Sequence, residues 1–88
     1  GALASINNSR AALGAYQTFL AREKAVQTAE RSFELASKRY NIGVMQTIEW
    51  LTNQNNLTRA RIDKMVAQYN YVFSMKVLEF YKGQGLRL

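Results

Sequence analysis

The chain has 88 residues, enough for one small domain, and small domains bury a low fraction of their surface. It contains no cysteine and no histidine, which excludes disulfides, thiol nucleophiles and imidazole bases and removes the ligands of most zinc sites; no catalytic residue, metal or cofactor is expected. The net charge of +6, with 12 Lys and Arg against 6 Asp and Glu, could suit nucleic acid or an anionic membrane surface.

The basic residues are scattered along the chain and never form a dense block, a spread that fits a solvated helix surface better than a nucleic-acid stripe. No charged stretch leads into an apolar one at the start, and no apolar run reaches the roughly 18 residues of a membrane span. The pattern therefore contains neither a signal peptide nor a spanning helix. Helical character sets in at once at Gly1, Ala2 and Leu3 with no capping residue ahead, so a piece of something larger, or a self-associating hairpin, is expected.

The first arm is expected to be a helix over about residues 3–40. Ala12, Ala15, Phe19, Arg22, Val26, Ala29, Phe33, Ala36 and Tyr40 follow steps of three and four, the spacing of a coiled-coil seam that only Arg22 interrupts. Alanines alternating with phenylalanines let two helices approach while the rings fill the gaps. Leu13, Tyr16 and Leu20 form a weaker row beside the seam.

Next comes Arg39, Tyr40, Asn41, Ile42, Gly43, near the midpoint of a chain without proline. Gly43 is the only glycine between Gly14 and Gly83, and glycine adopts the left-handed conformation that ends a helix without steric penalty. The expected tip is 41–45. Ile42, Val44 and Met45 are apolar where solvent normally selects polar residues, which suggests either a docking contact or local packing of Ile42 and Val44 against Tyr40 or Trp50. Gln46 or Thr47 can cap the next helix, with Glu49 in its first turn placed well against the helix dipole.

The second arm is expected to be a helix over about 46–82, with Lys82, Gly83, Gln84 and Gly85 stopping it and a tail at 83–88. It opens with Ile48 and Leu51 and crosses a polar belt of Thr52, Asn53, Gln54, Asn55 and Asn56, which reads as a register device, a water-facing wall or simply an exposed face. Beyond the belt it is apolar on several sides: Ile62, Met65, Tyr69 and Val72 make one row, Val66, Phe73, Val77 and Phe80 a second, and Ala60, Ala67, Tyr71, Leu78 and Tyr81 a third. One partner helix covers a single narrow seam, so such an arm is built for an array of helices or for a bundle made by dimerisation. The fold class is thus all-α, a long antiparallel two-helix coiled-coil hairpin.

Arg39, Tyr40 and Gly43, then Ile48, Glu49 and Leu51, then Gln54, Leu57 and Ala60, then Tyr69 and Tyr71 make an ordered series. In these residues nearly the whole chain resembles the second coiled-coil hairpin of the TolC family of outer membrane efflux proteins. The resemblance implies a fragment of a homotrimeric helical-barrel channel, a periplasmic tunnel below an outer membrane barrel whose strands are absent from this chain, in a Gram-negative envelope. It implies an entrance gate at Tyr40, Gln46, Glu49 and Thr52. It also implies a tip, Asn41, Ile42, Gly43, Val44 and Met45, that meets a periplasmic adaptor protein and through it an inner membrane pump. Thr52 stands where members often carry a second acidic residue, Met45 where a basic one is expected, and Trp50 where a smaller aliphatic side chain is usual. No nucleic acid is expected on this reading. Alternatives are a basic dimeric hairpin binding nucleic acid through Arg59, Arg61, Lys64 and the first-arm cations, with tyrosines stacking on bases, and the coiled-coil hairpin of an adaptor.

Overall fold

The computed structural model describes residues 2–86. It contains two helices, α1 (Ala2–Asn41) and α2 (Thr47–Leu86), each of 40 residues and about 60 Å long at 1.5 Å per residue. They fold back on each other into a rod of 68 × 14 × 13 Å. Two parallel-sided helices lying flat would be thinner in one direction than the other, so the near-equal short dimensions fit a pair that winds about itself.

The pairing keeps one register throughout. Near the turn Trp50 lies between Ser37 and Tyr40, and far from it Tyr71 lies between Tyr16 and Phe19. These positions are 21 residues apart on both helices, three heptads on each side without a slip. Only Ala12, Val26, Ala36, Leu57 and Ala67 are buried among the described residues. Small side chains thus set the approach distance, while half-buried Phe19, Phe33, Tyr40, Trp50 and Tyr71 fill the space between them.

The α1 seam follows the expected stripe except at Arg22, which is exposed; Glu23 is half-buried in its place. The substitution is local, because the seam resumes its heptad spacing at Val26. In α2 the seam runs through Trp50, Asn53, Leu57, Ala60, Lys64, Ala67, Tyr71, Ser74 and Leu78, at unbroken steps of three and four. Of the three expected rows, the one containing Ala60, Ala67, Tyr71 and Leu78 faces α1, and Ile62, Met65, Tyr69, Val72, Val66, Phe73 and Phe80 remain exposed.

Two local expectations are corrected, and the choice between Gln46 and Thr47 as the cap of α2 falls on Gln46. Helix α2 continues through Gly83 and Gly85 to Leu86 instead of stopping at Lys82, because a glycine permits a left-handed stop without imposing one. Helix α1 reaches Asn41, so the residues outside helix are 42–46 rather than 41–45. Thr47 is the first helical residue and its hydroxyl bonds Tyr40, leaving Gln46 at the cap position, where its carbonyl accepts the Trp50 amide at 3.1 Å.

Candidate functional site

The turn is a Schellman motif. Gly43 has φ of +81°, the Val44 amide donates to the Arg39 carbonyl at 2.9 Å, and the Gly43 amide donates to the Tyr40 carbonyl at 3.0 Å. Above it stands an aromatic latch. The Trp50 ring stacks on Tyr40 with centroids 5.0 Å apart and lies 5.7 Å from Phe33, and its Nε1–H donates to Ser37 Oγ at 3.0 Å. Thr47 Oγ1 donates to the Tyr40 hydroxyl at 3.2 Å, which ties the first residue of α2 to the last turns of α1.

The latch bears on the expected local packing of the apolar tip. Trp50, Phe33 and Tyr40 pack on each other, whereas Ile42 and Val44 stay exposed at 74% and 66%. Local packing therefore does not account for Ile42 and Val44. Of the other tip residues Asn41 and Gly43 are exposed and Met45 is half-buried.

The four expected gate residues lie close together along the start of α2 and the end of α1, but they do not form one network. Tyr40 is engaged with Trp50 and Thr47, Gln46 is exposed, and Glu49 is exposed in the first turn of α2. Thr52 bonds its own helix, Oγ1 to the Ile48 carbonyl at 2.8 Å. In the polar belt Asn53 faces α1 and gives its amide to the Glu49 carbonyl at 2.9 Å, while Thr52, Gln54, Asn55 and Asn56 are exposed. The belt is mostly a solvated face. Beside it Ala21, Ala25, Thr28 and Ser32 of α1 and Asn53 and Asn56 of α2 line a shallow open groove.

Heptad numbering from the seam exposes two features that a linear scan of charge and hydropathy misses. Arg10, Lys24, Arg31 and Lys38 fall at multiples of seven on the line of α1 that points away from α2, about 10.5 Å apart per heptad. Lys38 on that line pairs with Glu34 at 3.5 Å. On α2 the line pointing away from α1 is apolar instead, with Ile62, Val66, Tyr69, Phe73 and Phe80 between 52% and 70% exposed. Both signals were available in the sequence, but only after the seam was known.

The exposed apolar surface is also uneven along the rod. Away from the turn it includes Leu13, Tyr16 and Leu20 on α1 and Ile62 to Phe80 on α2; nearer the turn Leu35, Ile48 and Leu51 are exposed among amide, hydroxyl and charged residues. Among the described residues no three His, Cys, Asp or Glu side chains gather as metal ligands, and no helix is long and apolar enough to cross a membrane. No family model matches the chain, and neither does any curated protein or solved structure.

Proposed function

We propose that this hairpin is a wall-and-mouth segment of an outer membrane efflux or secretion channel of the TolC type. The observation that carries the reading is the double-sided α2: apolar residues at heptad spacing face α1, and a second set faces the opposite way. A helix in a closed ring has a neighbour on each side and needs two apolar faces, whereas a helix in an isolated pair needs one. The sparser apolar surface nearer the turn, Leu35, Ile48 and Leu51, suits a ring whose hairpins touch less closely toward its mouth.

On this reading the chain makes and breaks no bond. Tyr40, Gln46, Glu49 and Thr52 ring the periplasmic entrance of a homotrimer, and Asn41 to Met45 form the contact for an adaptor that links the tunnel to an inner membrane pump. The exposed Ile42 and Val44 give that contact an apolar centre. Opening moves the tips apart while the alanine-rich seam below them stays packed.

The test is electrical. In the parent channel reconstituted in a planar bilayer, Glu49→Ala is expected to weaken block by multivalent cations by about tenfold, the loss of roughly 1.4 kcal/mol of cation binding. Block unchanged from the parent removes Glu49 from the entrance and with it the gate assignment.

A further inference from the structure

We infer that the outward stripe of α2 is a self-docking surface on which a second copy of this chain packs antiparallel, giving a two-fold dimer. The inference does not rest on the channel reading; it follows from the stripe, its single charge and the charges elsewhere on the rod. Ile62, Val66, Tyr69, Phe73, Lys76 and Phe80 are separated by steps of four, three, four, three and four, a second complete coiled-coil seam on the side of α2 opposite the first. Random surface exposure does not place five apolar residues at such a period over 19 residues.

Lys76 sets the polarity. A parallel, in-register pair would place Lys76 against Lys76 of the second copy in the middle of an apolar seam, burying two like charges side by side. Antiparallel pairing forms the layers Ile62 with Phe80, Tyr69 with Phe73, and Val66 with Lys76 of the other copy. The Lys76 stem then covers Val66 while its ammonium, already 3.7 Å from Glu79 of its own helix, stays at the edge. Asp63, one turn before Val66, comes near the same ammonium across the interface.

The size is adequate as well. Three half-exposed aromatic rings, with Ile62, Val66 and the flanking Met65 and Val72, offer about 700 Å² of apolar surface per copy, close to the roughly 800 Å² that each side of a standard stable interface buries. The charge distribution selects this face over the other. The line Arg10, Lys24, Arg31, Lys38 lies on the outer side of α1, so joining two copies through α2 keeps those lines apart, on opposite outer surfaces of the dimer.

The experiment is sedimentation equilibrium of the 88-residue chain across a concentration series, with far-UV circular dichroism on the same samples. A monomer–dimer equilibrium in the micromolar range is expected, strengthened by added salt because a chain of net charge +6 repels its copy. Phe73→Glu is expected to weaken it by about 100-fold, and Lys76→Leu to tighten it by about tenfold. For orientation, chains carrying Ile62→Cys and Phe80→Cys are mixed and oxidised: the mixed disulfide dominates if the copies are antiparallel, and covalent dimers of Ile62→Cys alone dominate if they are parallel. A monomer at all concentrations, a trimer, or self-linking of Ile62→Cys overturns the inference. Should Phe73→Glu lose helicity along with dimerisation, the disulfide result on otherwise intact chains decides. Failure of the dimer leaves the Glu49 recordings untouched and failure of the Glu49 test leaves the dimer untouched, although both readings give the outer face of α2 a partner.

Discussion

Replacing Gly43 isolates the energetic contribution of the turn, because a Cβ built on this residue meets no atom within 4 Å. Any cost is therefore torsional. At φ of +81° an ordinary L-residue loses about 1–2 kcal/mol relative to glycine, with alanine near the lower figure and β-branched valine near the upper. Asparagine, which tolerates the left-handed region, is expected to cost under about 0.5 kcal/mol. The order Asn, Ala, Val should appear in urea denaturation followed at 222 nm at one fixed chain concentration. Helicity alone would miss one escape route, in which the strained turn straightens and the two arms become a single helix. Small-angle scattering detects it: the hairpin has a Cα radius of gyration of 19.6 Å, whereas a continuous rod of the described residues would approach about 37 Å at 1.5 Å per residue. Equal stability of all three variants with an unchanged radius would refute the argument, since it would mean that the left-handed turn is not what closes the hairpin.

The aromatic latch predicts a graded loss. Trp50→Phe keeps a ring against Phe33 and Tyr40 but leaves Ser37 without its indole donor, at a cost of about 1 kcal/mol; Trp50→Ala also removes the stacking and should cost about 2–3 kcal/mol, and equal midpoints for the two would contradict the latch. Lys64 occupies a half-buried seam position between Ala60 and Ala67, so Lys64→Leu should stabilise the hairpin by about 1 kcal/mol in thermal melts. A lower melting temperature would overturn the reading of Lys64 as a costly seam position.

Much of the hairpin was readable because two independent signals agree. The seam residues Ala12 to Tyr40 carry a heptad period, and Gly43 supplies the one unstrained stop in a long proline-free stretch. The α2 seam was harder to identify because period alone cannot rank three apolar rows on one helix. The row with Ala60 and Ala67 packs inward, although the row with Ile62, Met65 and Tyr69 is more hydrophobic. Close approach explains the choice. Opposite the alanines of α1, small residues shorten the distance between backbones and so improve every contact along the pair, whereas large ones would prop it open. The latch was unreadable for another reason. Tyr40 and Trp50 are 10 residues apart in sequence, and only the reversal of the chain stacks them.

Separation of the turn from the outer stripe has a consequence for any assembly. The contacts that fix the tip, Gly43 with its two backbone bonds and Trp50 with Phe33, Tyr40 and Ser37, all lie within the hairpin and use no residue of the outer face. The stripe from Ile62 to Phe80 begins about 18 Å along α2 from Trp50, at 1.5 Å per residue. A partner on that stripe buries the far half of the rod and leaves the tip geometry as it is. Ile42 and Val44 therefore stay exposed whether the stripe meets a neighbouring helix of a ring or a second copy of the chain. In the antiparallel dimer the two tips lie at opposite ends of a longer rod; in a ring they gather at one end. Whether the stripe meets α2 of a second copy or a helix of the next hairpin in a ring, rather than any change within the hairpin, determines which of these arrangements forms.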